Sequence, residues 1–141
     1  MSETEKTFVM LKPSCVNRGL IGEVISRFER KGLVIKGLKM LVMTRELAER
    51  LYEVHKGKEF YEKLINTVTG KRVVALLLEG REAITVVRKL IGATDPAKAE
   101  PGTIRGDLGL DLTDNIIHAS DSRESYHREA PIFFDQSELM Y

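Results

Sequence analysis

The chain has 141 residues, 43% of them hydrophobic, which is enough for a single domain over residues 1–141 with a sizeable core. Its 22 Lys and Arg residues against 21 Asp and Glu residues give a net charge of +1, which excludes a general nucleic-acid coat because such binding needs a basic excess. The single cysteine, Cys15, excludes an internal disulfide framework and a cysteine-based zinc site.

Two further features predict where the protein works. The longest uninterrupted apolar run, Val73 to Leu78, is far too short to span a bilayer. The N-terminal residues, MSETEK, are polar and acidic, unlike a secretory signal peptide. The sequence therefore predicts a cytoplasmic protein with no membrane partner.

In the first half of the chain, apolar residues spaced three and four apart indicate helices, whereas β-rich runs that end at a proline or a turn indicate strands. On these grounds we predict, in chain order, a strand at 7–11, a helix ending at Gly32 and a strand at 33–43 with a bulge or close approach at Gly37. A helix capped by Thr44 and a short helix containing Phe60 follow.

The second half predicts a buried strand at 72–80, then a helix with Ala83, Val86, Val87 and Leu90 facing inward. From Gly92 the periodicity disappears into a long loop, and loops of that length in a compact domain are usually functional. A short strand at 115–118 follows, then a helix capped by Ser120 or Asp121, with Asp121 and Glu124 spaced like a capping box. This order predicts an α+β fold, a ferredoxin-like α/β sandwich whose four-stranded antiparallel sheet has helices packed on it.

The common motifs of catalysis and nucleotide binding are missing from the sequence. It has no G-x-x-x-x-G-K-[ST], G-x-G-x-x-G, H-E-x-x-H or G-x-S-x-G motif. Its three histidines lack the spacing of metal ligands, so we predict no metal site built by the protein alone.

Cationic and hydroxyl side chains lie around the long loop instead. Strand ends and the loops that leave them form a rim where ligands often bind in such domains. Taken singly, each cation also fits a solvated surface position. Together they predict a phosphate site made from side chains, formed by Lys12, Arg88, Thr94 and Arg105.

His118 ends the strand that leaves this loop. A histidine between Ile117 and Ala119 also fits a packed, hydrogen-bonded core residue. In a phosphate site, however, a neutral imidazole is a good nucleophile toward phosphorus, and the small Ala119 leaves room beside the ring. Glu129, on the helix that follows, is placed to orient the imidazole through its second nitrogen.

These residues resemble the nucleoside diphosphate kinase family over residues 7–134. The family motif N-x-x-H-[AG]-S-D stands here at 115–121, with His118 at its centre. Four further blocks match in order, namely MLKPS at 10–14, HKGKEF at 55–60, LIGATDP at 90–96 and PGTIRGD at 101–107. The resemblance implies ping-pong transfer of the γ-phosphate of ATP or another nucleoside triphosphate to a nucleoside diphosphate, through a phosphohistidine at His118.

The resemblance also implies a role for each matched side chain. Phe60 would stack on the base, and Lys12 and Asn115 would bind the ribose hydroxyls. The phosphates would be held by Arg88, Thr94 and Arg105, with Lys12 reaching the γ-phosphate and His55 the α-phosphate. The catalytic group would comprise His118, Lys12, Tyr52, Ser120 and Glu129. Mg²⁺ would arrive with the nucleotide, as this small hard cation often does.

Family members assemble as homo-oligomers on a shared dimer, and for this chain we expect a hexamer rather than a tetramer. Two positions depart from the family pattern: Gly70-Lys71-Arg72 stands where Ser-Gly-Pro is usual, and Glu59 where proline is common. The first segment lies away from the matched site residues, so we expect activity to be kept.

Two alternatives from other functional classes remain open at this point. Ferredoxin-like sheets can bind RNA, but such modules carry aromatic residues on a strand face, whereas the predicted strands carry Phe8 alone. We therefore expect no nucleic acid as the primary partner. The second alternative is a catalytically inactive protein of the same fold. The retention of every matched site residue argues against it.

Overall fold

Apolar side chains along two central strands organise the molecule. The computed structural model describes residues 4–140, and its four-stranded antiparallel sheet has the strand order β2-β3-β1-β4. The strands are β1 Thr4–Leu11, β2 Val34–Val42, β3 Arg72–Arg81 and β4 Ile117–Ala119. Because residues 8–11 of β1 and 73–78 of β3 are covered on both faces, these segments read in the sequence as continuous apolar runs.

Helices cover both faces of this sheet. They are α1 Pro13–Asn17, α2 Ile21–Lys31, α3 Arg45–Leu51, α4 Tyr61–Val68, α5 Ala83–Ile91, α6 Ile104–Leu108, α7 Arg123–Phe133 and α8 Gln136–Leu139, with a 3-10 turn at Glu53–His55. One apolar core packs α2 and α5 on one face, and a second packs α3, α4 and α7 on the other. The predicted ferredoxin-like α/β sandwich is confirmed. No helix within residues 4–140 combines the length and the apolarity needed to cross a membrane.

The bulge predicted at Gly37 is present in the edge strand β2. The pairing of β2 with β3 shifts register between Ile35 and Gly37. A Cβ atom at Gly37 would lie 2.9 Å from Cε1 of Phe134 and 3.0 Å from Cδ1 of Leu77. Glycine is therefore required here by the close approach of the C-terminal segment to the sheet.

The predicted cap of α7 is wrong. The N-cap is Ser122, whose side chain accepts a hydrogen bond from the backbone N–H of Ser125. Asp121 instead accepts a hydrogen bond from the Ser125 hydroxyl. Ser120 is fully buried and belongs to β4's continuation rather than to the helix. Ser and Asp are equally good caps, so their order along the chain did not reveal which one starts the helix.

Two short helices, α1 and α6, were not predicted, and β4 begins two residues later than expected. Of the four α5 residues predicted to face inward, Ala83 and Val87 are buried, whereas Val86 and Leu90 are only partly buried, and Ile84 and Ile91 are buried as well. The comparison of the N-terminal residues with a secretory signal peptide rests partly on residues 1–3, which lie outside the described residues, as does Tyr141.

Candidate active site

A strained turn sets the position of His118. Before β4, the backbone N–H of Ile117 donates to the carbonyl of Asn115 at 2.9 Å, which makes a γ-turn centred on Ile116. Ile116 has φ of 77°, a left-handed conformation that is unfavourable for a β-branched residue. Its burial and a 2.8 Å hydrogen bond from the Lys12 N–H to its carbonyl hold it there. Such strain commonly accompanies functional sites.

The imidazole of His118 is bound by a buried carboxylate. Its Nε2 lies 3.0 Å from Oε1 of Glu129, and the hydroxyl of Ser120 donates to the same oxygen at 2.7 Å. Arg128 donates to the other oxygen, Oε2, at 3.1 Å. Burial acts to raise the pKa of Glu129, but the hydrogen bonds from His118 and Ser120 and the charge of Arg128 bring it below its ordinary value. The ionised carboxylate only accepts, so in the neutral imidazole Nε2 carries the proton and Nδ1 keeps its lone pair.

Two aromatic rings fix the other sides of this imidazole. The Tyr52 ring meets it edge-on with a centroid separation of 6.2 Å, and the Phe8 ring lies at the same separation in a tilted arrangement. The Tyr52 hydroxyl is buried, and burial raises the pKa of this group, so it stays protonated. His118 therefore has little freedom to rotate.

Two cations are buried beside the histidine without a carboxylate partner. Lys12 is 5% exposed, and its Nζ donates to the carbonyl of Thr113 at 3.0 Å. Burial, followed by the charge of Arg105, lowers the pKa of Lys12 to about 8. Arg105 is 4% exposed, and burial together with the charge of Arg88 lowers the pKa of Arg105 to about 10. Neither forms an ion pair within residues 4–140, so this region favours a bound anion.

The arginines also protect the free edge of β4. Arg105 donates to the carbonyls of Asn115 at 3.4 Å, Gly92 at 3.2 Å and Ile117 at 2.6 Å. Arg88 reaches the carbonyl of Ala119 at 3.4 Å. These hydrogen bonds hold the guanidinium groups of Arg88 and Arg105 close to the strand that carries His118. They bring α5 and the long loop together beside β4.

A cavity of about 600 Å³ joins these groups. All the predicted site residues except Ser120 line it: Lys12, Tyr52, His55, Phe60, Arg88, Thr94, Arg105, Asn115, His118 and Glu129. Ser120 lies behind the wall, against Glu129. Phe60 stands at the mouth with 49% of its surface exposed, its ring 5.2 Å from that of His55. The structure thus brings the whole predicted set together.

Polar atoms in the cavity wall lack partners. Among residues 4–140, the Tyr52 hydroxyl, Nδ1 of His55 and Oδ1 of Asn115 are buried without a hydrogen bond, while Nδ2 of Asn115 donates to the carbonyl of Thr94 at 2.8 Å. Burial lowers the pKa of His55, and neighbouring cations, Lys58 foremost, add to this. Buried polar atoms of this kind are normally satisfied, so the cavity is suited to a polar ligand.

Sequence reasoning missed eight residues that line the cavity, namely Leu51, Val54, Leu64, Leu112, Thr113, Asp121, Ser125 and Arg128. Asp121 was predicted as a helix cap, and Leu64 is an apolar residue of α4 that also packs in the second core. Leu112, with 59% of its surface exposed, gave only the weak signal of an apolar residue in a polar loop. Arg128 stands next to Glu129 in sequence, but nothing in the pattern distinguishes it from a solvated helix residue.

Comparison with known proteins gives one consistent result. The family model described as nucleoside diphosphate kinase matches residues 5–139. The nucleoside diphosphate kinase of Hyperthermus butylicus is 62% identical over 136 residues, covering 96% of each chain, and that of Methanocaldococcus jannaschii is 58% identical over 135 residues, again covering 96% of each. The structure of the halophilic nucleoside diphosphate kinase from Halobacterium salinarum in complex with CDP superposes with a TM-score of 0.93 at 46% identity, covering 96% of this chain and 91% of that one.

Proposed function

The chain belongs to the nucleoside diphosphate kinase family and transfers the γ-phosphate of a nucleoside triphosphate to a nucleoside diphosphate; we propose that His118 carries the phosphoryl group between the two nucleotides. The observation that carries this assignment is the pairing of Nε2 with buried Glu129, which leaves Nδ1 for the cavity and its unpaired cations.

In the first half-reaction, the Nδ1 lone pair forms a bond to the γ-phosphorus while the bond from phosphorus to the β,γ-bridging oxygen breaks. The nucleoside diphosphate leaves with that electron pair. The Nε2 proton remains on the imidazole and is held by Glu129, whose negative charge balances the ring as it acquires the phosphoryl group. The second half-reaction reverses these steps onto the terminal phosphate oxygen of another nucleoside diphosphate.

Charge on the transferring phosphoryl group is balanced by the cations. Positioning and electrostatic stabilisation supply most of the catalysis in phosphoryl transfer. Lys12, buried beside β4, is assigned to the γ-phosphate, and Arg88 and Arg105 to the remaining phosphate oxygens, with the Thr94 hydroxyl beside them. His55 is assigned to the α-phosphate and the Tyr52 hydroxyl to the neighbourhood of the transferring group.

Base and ribose occupy the outer part of the cavity in this proposal. Phe60 presents an exposed ring face at the mouth, and every base has a face to stack on it, so stacking tolerates any base. Leu64 and Leu112 line the same region and extend the apolar contact. The unpartnered Oδ1 of Asn115 and the Lys12 ammonium are the acceptor and donor available to ribose hydroxyls.

Mg²⁺ is proposed to enter bound to the nucleotide. No group of three or more His, Cys, Asp or Glu residues between positions 4 and 140 is arranged to hold a metal ion by itself. The cavity does include the carboxylate of Asp121, and Mg²⁺ typically takes one or two carboxylates together with substrate phosphates. When bound, the cation neutralises charge on the β- and γ-phosphates.

We also propose that the chain is one domain and assembles in the cytoplasm as a homo-oligomer, a hexamer rather than a tetramer. Edge strand β2 supports assembly, because its hydrogen-bonding edge opposite β3 is free among the described residues. Four apolar side chains on β2 are at least half exposed, Val34 at 53%, Leu38 at 56%, Met40 at 50% and Val42 at 55%. An apolar edge strand favours pairing with a second copy.

The direct test is transfer of labelled γ-phosphate from ATP to GDP. The wild-type protein is expected to form labelled GTP, whereas His118→Ala loses turnover but keeps nucleotide binding and its fold, since the small side chain only removes the nucleophile. An inactive relative or an RNA-binding module would transfer no label. Wild-type turnover in His118→Ala would remove His118 from the mechanism.

A further inference from the structure

We propose that Arg128 is a positioning residue for the phosphoryl transfer, acting through Glu129 and the end of helix α3. This inference rests on the proposed function, since it assigns Arg128 a role behind His118. Arg128 precedes Glu129 on α7 and lines the cavity, and its side chain is 32% exposed.

One end of the guanidinium fixes the carboxylate of Glu129. Oε1 of Glu129 already accepts from Ser120 and contacts His118, whereas Oε2 has only Arg128 as a partner within residues 4–140. The terminal torsion of a glutamate side chain is broad, so a carboxylate bound at one oxygen retains freedom to turn. The Arg128 contact at 3.1 Å removes this freedom and keeps Oε1 aimed at Nε2.

The other end of the guanidinium caps helix α3. Nη1 of Arg128 donates to the carbonyls of Arg50 at 3.1 Å and Leu51 at 3.3 Å, which are among the last carbonyls of that helix. Such carbonyls lack partners inside the helix, and a cation there is also favoured by the helix dipole. The next residue is Tyr52, whose ring meets His118 edge-on.

One planar group therefore holds both walls of the imidazole. Glu129 lies behind Nε2, and Tyr52 lies against the ring. Arg128 donates directly to Glu129 and to the carbonyls of the two residues that precede Tyr52. A lysine at this position supplies charge but not a fixed fork of donors, so it cannot make both sets of contacts in one geometry.

The charge of Arg128 adds to this geometric role. The groups that face the Glu129 carboxylate are His118 and Ser120 from β4 and its continuation, Arg128 from α7, and Tyr52 from the end of α3. Arg128 is one of the groups that bring the pKa of Glu129 below its ordinary value. Without it, the carboxylate takes up a proton at a higher pH and then no longer balances the ring.

The test is the single-turnover rate of His118 phosphorylation by ATP, with the dissociation constant of ADP measured in parallel. We expect Arg128→Ala to slow phosphorylation by about 10- to 100-fold, the range found for hydrogen-bond partners behind metal-binding histidines, with ADP affinity unchanged within about twofold. Arg128→Lys is expected to recover only part of the rate. Arg50→Ala, which removes one charge from an exposed side chain while keeping the α3 carbonyls, is the matched control and is expected to behave as wild type.

A double-mutant cycle with Glu129→Gln separates positioning from general structural support. If Arg128 acts through Glu129, the two rate losses do not add, so Arg128→Ala slows Glu129→Gln little further. The acid limb of the pH–rate profile also moves to higher pH in Arg128→Ala and not in Arg128→Lys, which keeps the charge. Should Arg128→Ala fail to fold, Arg128→Lys carries the same cycle.

Three outcomes would overturn the inference: additive losses in the cycle, a loss of ADP affinity that matches the loss of rate, or an Arg128→Ala rate equal to that of Arg50→Ala. Failure of the proposed function has a different signature, because the wild-type protein would then transfer no label to GDP or phosphotransfer would persist in His118→Ala.

Discussion

Lys12 is a buried cation in the proposed phosphate site. Its pKa of about 8, against an ordinary 10.5, arises from burial and from the charge of Arg105. In the free protein the side chain is therefore charged below pH 8 and neutral above it. A nucleotide phosphate favours the charged form, so binding raises this pKa again and takes up a proton wherever the free lysine is neutral.

Because nucleotide binding raises the pKa of Lys12, we predict that ADP affinity falls as the pH rises above about 8, and that ADP binding near pH 9 is accompanied by proton uptake. Calorimetry in two buffers of different ionisation enthalpy measures that uptake. Lys12→Met has no group to protonate there, and its remaining affinity is expected to be flat over the same range. Binding by the wild-type protein without proton uptake at pH 9 would contradict the burial of an uncompensated lysine.

Arg88 and Lys89 are neighbours on α5 and differ in their relation to the cavity. Arg88 lines it, and Lys89 does not, although both side chains are exposed. A hydrogen bond to a charged group contributes about 1.5–3 kcal/mol, so Arg88→Ala is expected to lose roughly one to two decades in kcat/KM. Lys89→Ala is expected to match wild type in steady-state kinetics with a diphosphate acceptor. Equal effects in the two variants would indicate a general charge effect rather than a phosphate contact.

The site residues that could be predicted are those whose residue type and neighbours in the sequence indicate a chemical role. His118 followed by the small Ala119, and Arg105 followed by Gly106, are residue types and neighbours that favour phosphate chemistry. Arg128 and Leu112 carry no such signal, because a helical arginine and a loop leucine fit ordinary surface positions equally well. Only their distances to Glu129 and to the cavity distinguish them.

At the scale of elements, length and burial decided what could be predicted. β3 was predicted because its central position makes six consecutive residues, 73–78, apolar, and α2 because eleven residues display a full amphipathic pattern. Helices α1 and α6 have five residues each, too few to show a period. The strand β4 was predicted, but with only three residues its start was placed two residues too early. These short elements form only because tertiary contacts hold them, such as the three carbonyl contacts of Arg105 around β4.

The start of α7 gives a prediction at this scale. Ser122→Ala removes the side-chain acceptor for the Ser125 N–H and is expected to cost about 1 kcal/mol of unfolding free energy, within a range of roughly 0.5–2. Glu124→Gln removes only an exposed charge near the helix start and is expected to cost about 0.3 kcal/mol. Denaturant unfolding of both variants measures the difference. Equal losses in the two variants would contradict a capping role for the Ser122 side chain.

At the scale of the whole molecule, the packing of a single chain does not explain why edge strand β2 exposes apolar side chains. Leu38 and Met40 pair with Leu76 and Val74, so they face the side of the sheet that carries α2 and α5, yet both are at least half exposed. We predict that Met40→Lys lowers the solution mass from about six chains to a smaller species, because a lysine ammonium is costly to bury between copies. Met40→Leu keeps the apolar volume and is expected to keep the wild-type mass.

Light scattering after size-exclusion chromatography measures these masses. An unchanged mass in Met40→Lys would mean that β2 is not an assembly surface. A wild-type mass of four chains would keep β2 as an interface and correct the proposed hexamer.

The central claim is that Nδ1 of His118 accepts the phosphoryl group. The most direct measurement is to incubate the protein with γ-labelled ATP, remove the nucleotide, and examine the bound label by its acid and alkali stability, by peptide mapping and by phosphorus NMR. We predict one label per chain on His118, lost in acid, stable in alkali and attached at Nδ1, with none on His118→Ala. An acid-stable label, a label on another residue, or attachment at Nε2 would contradict it, since Nε2 is occupied by Glu129.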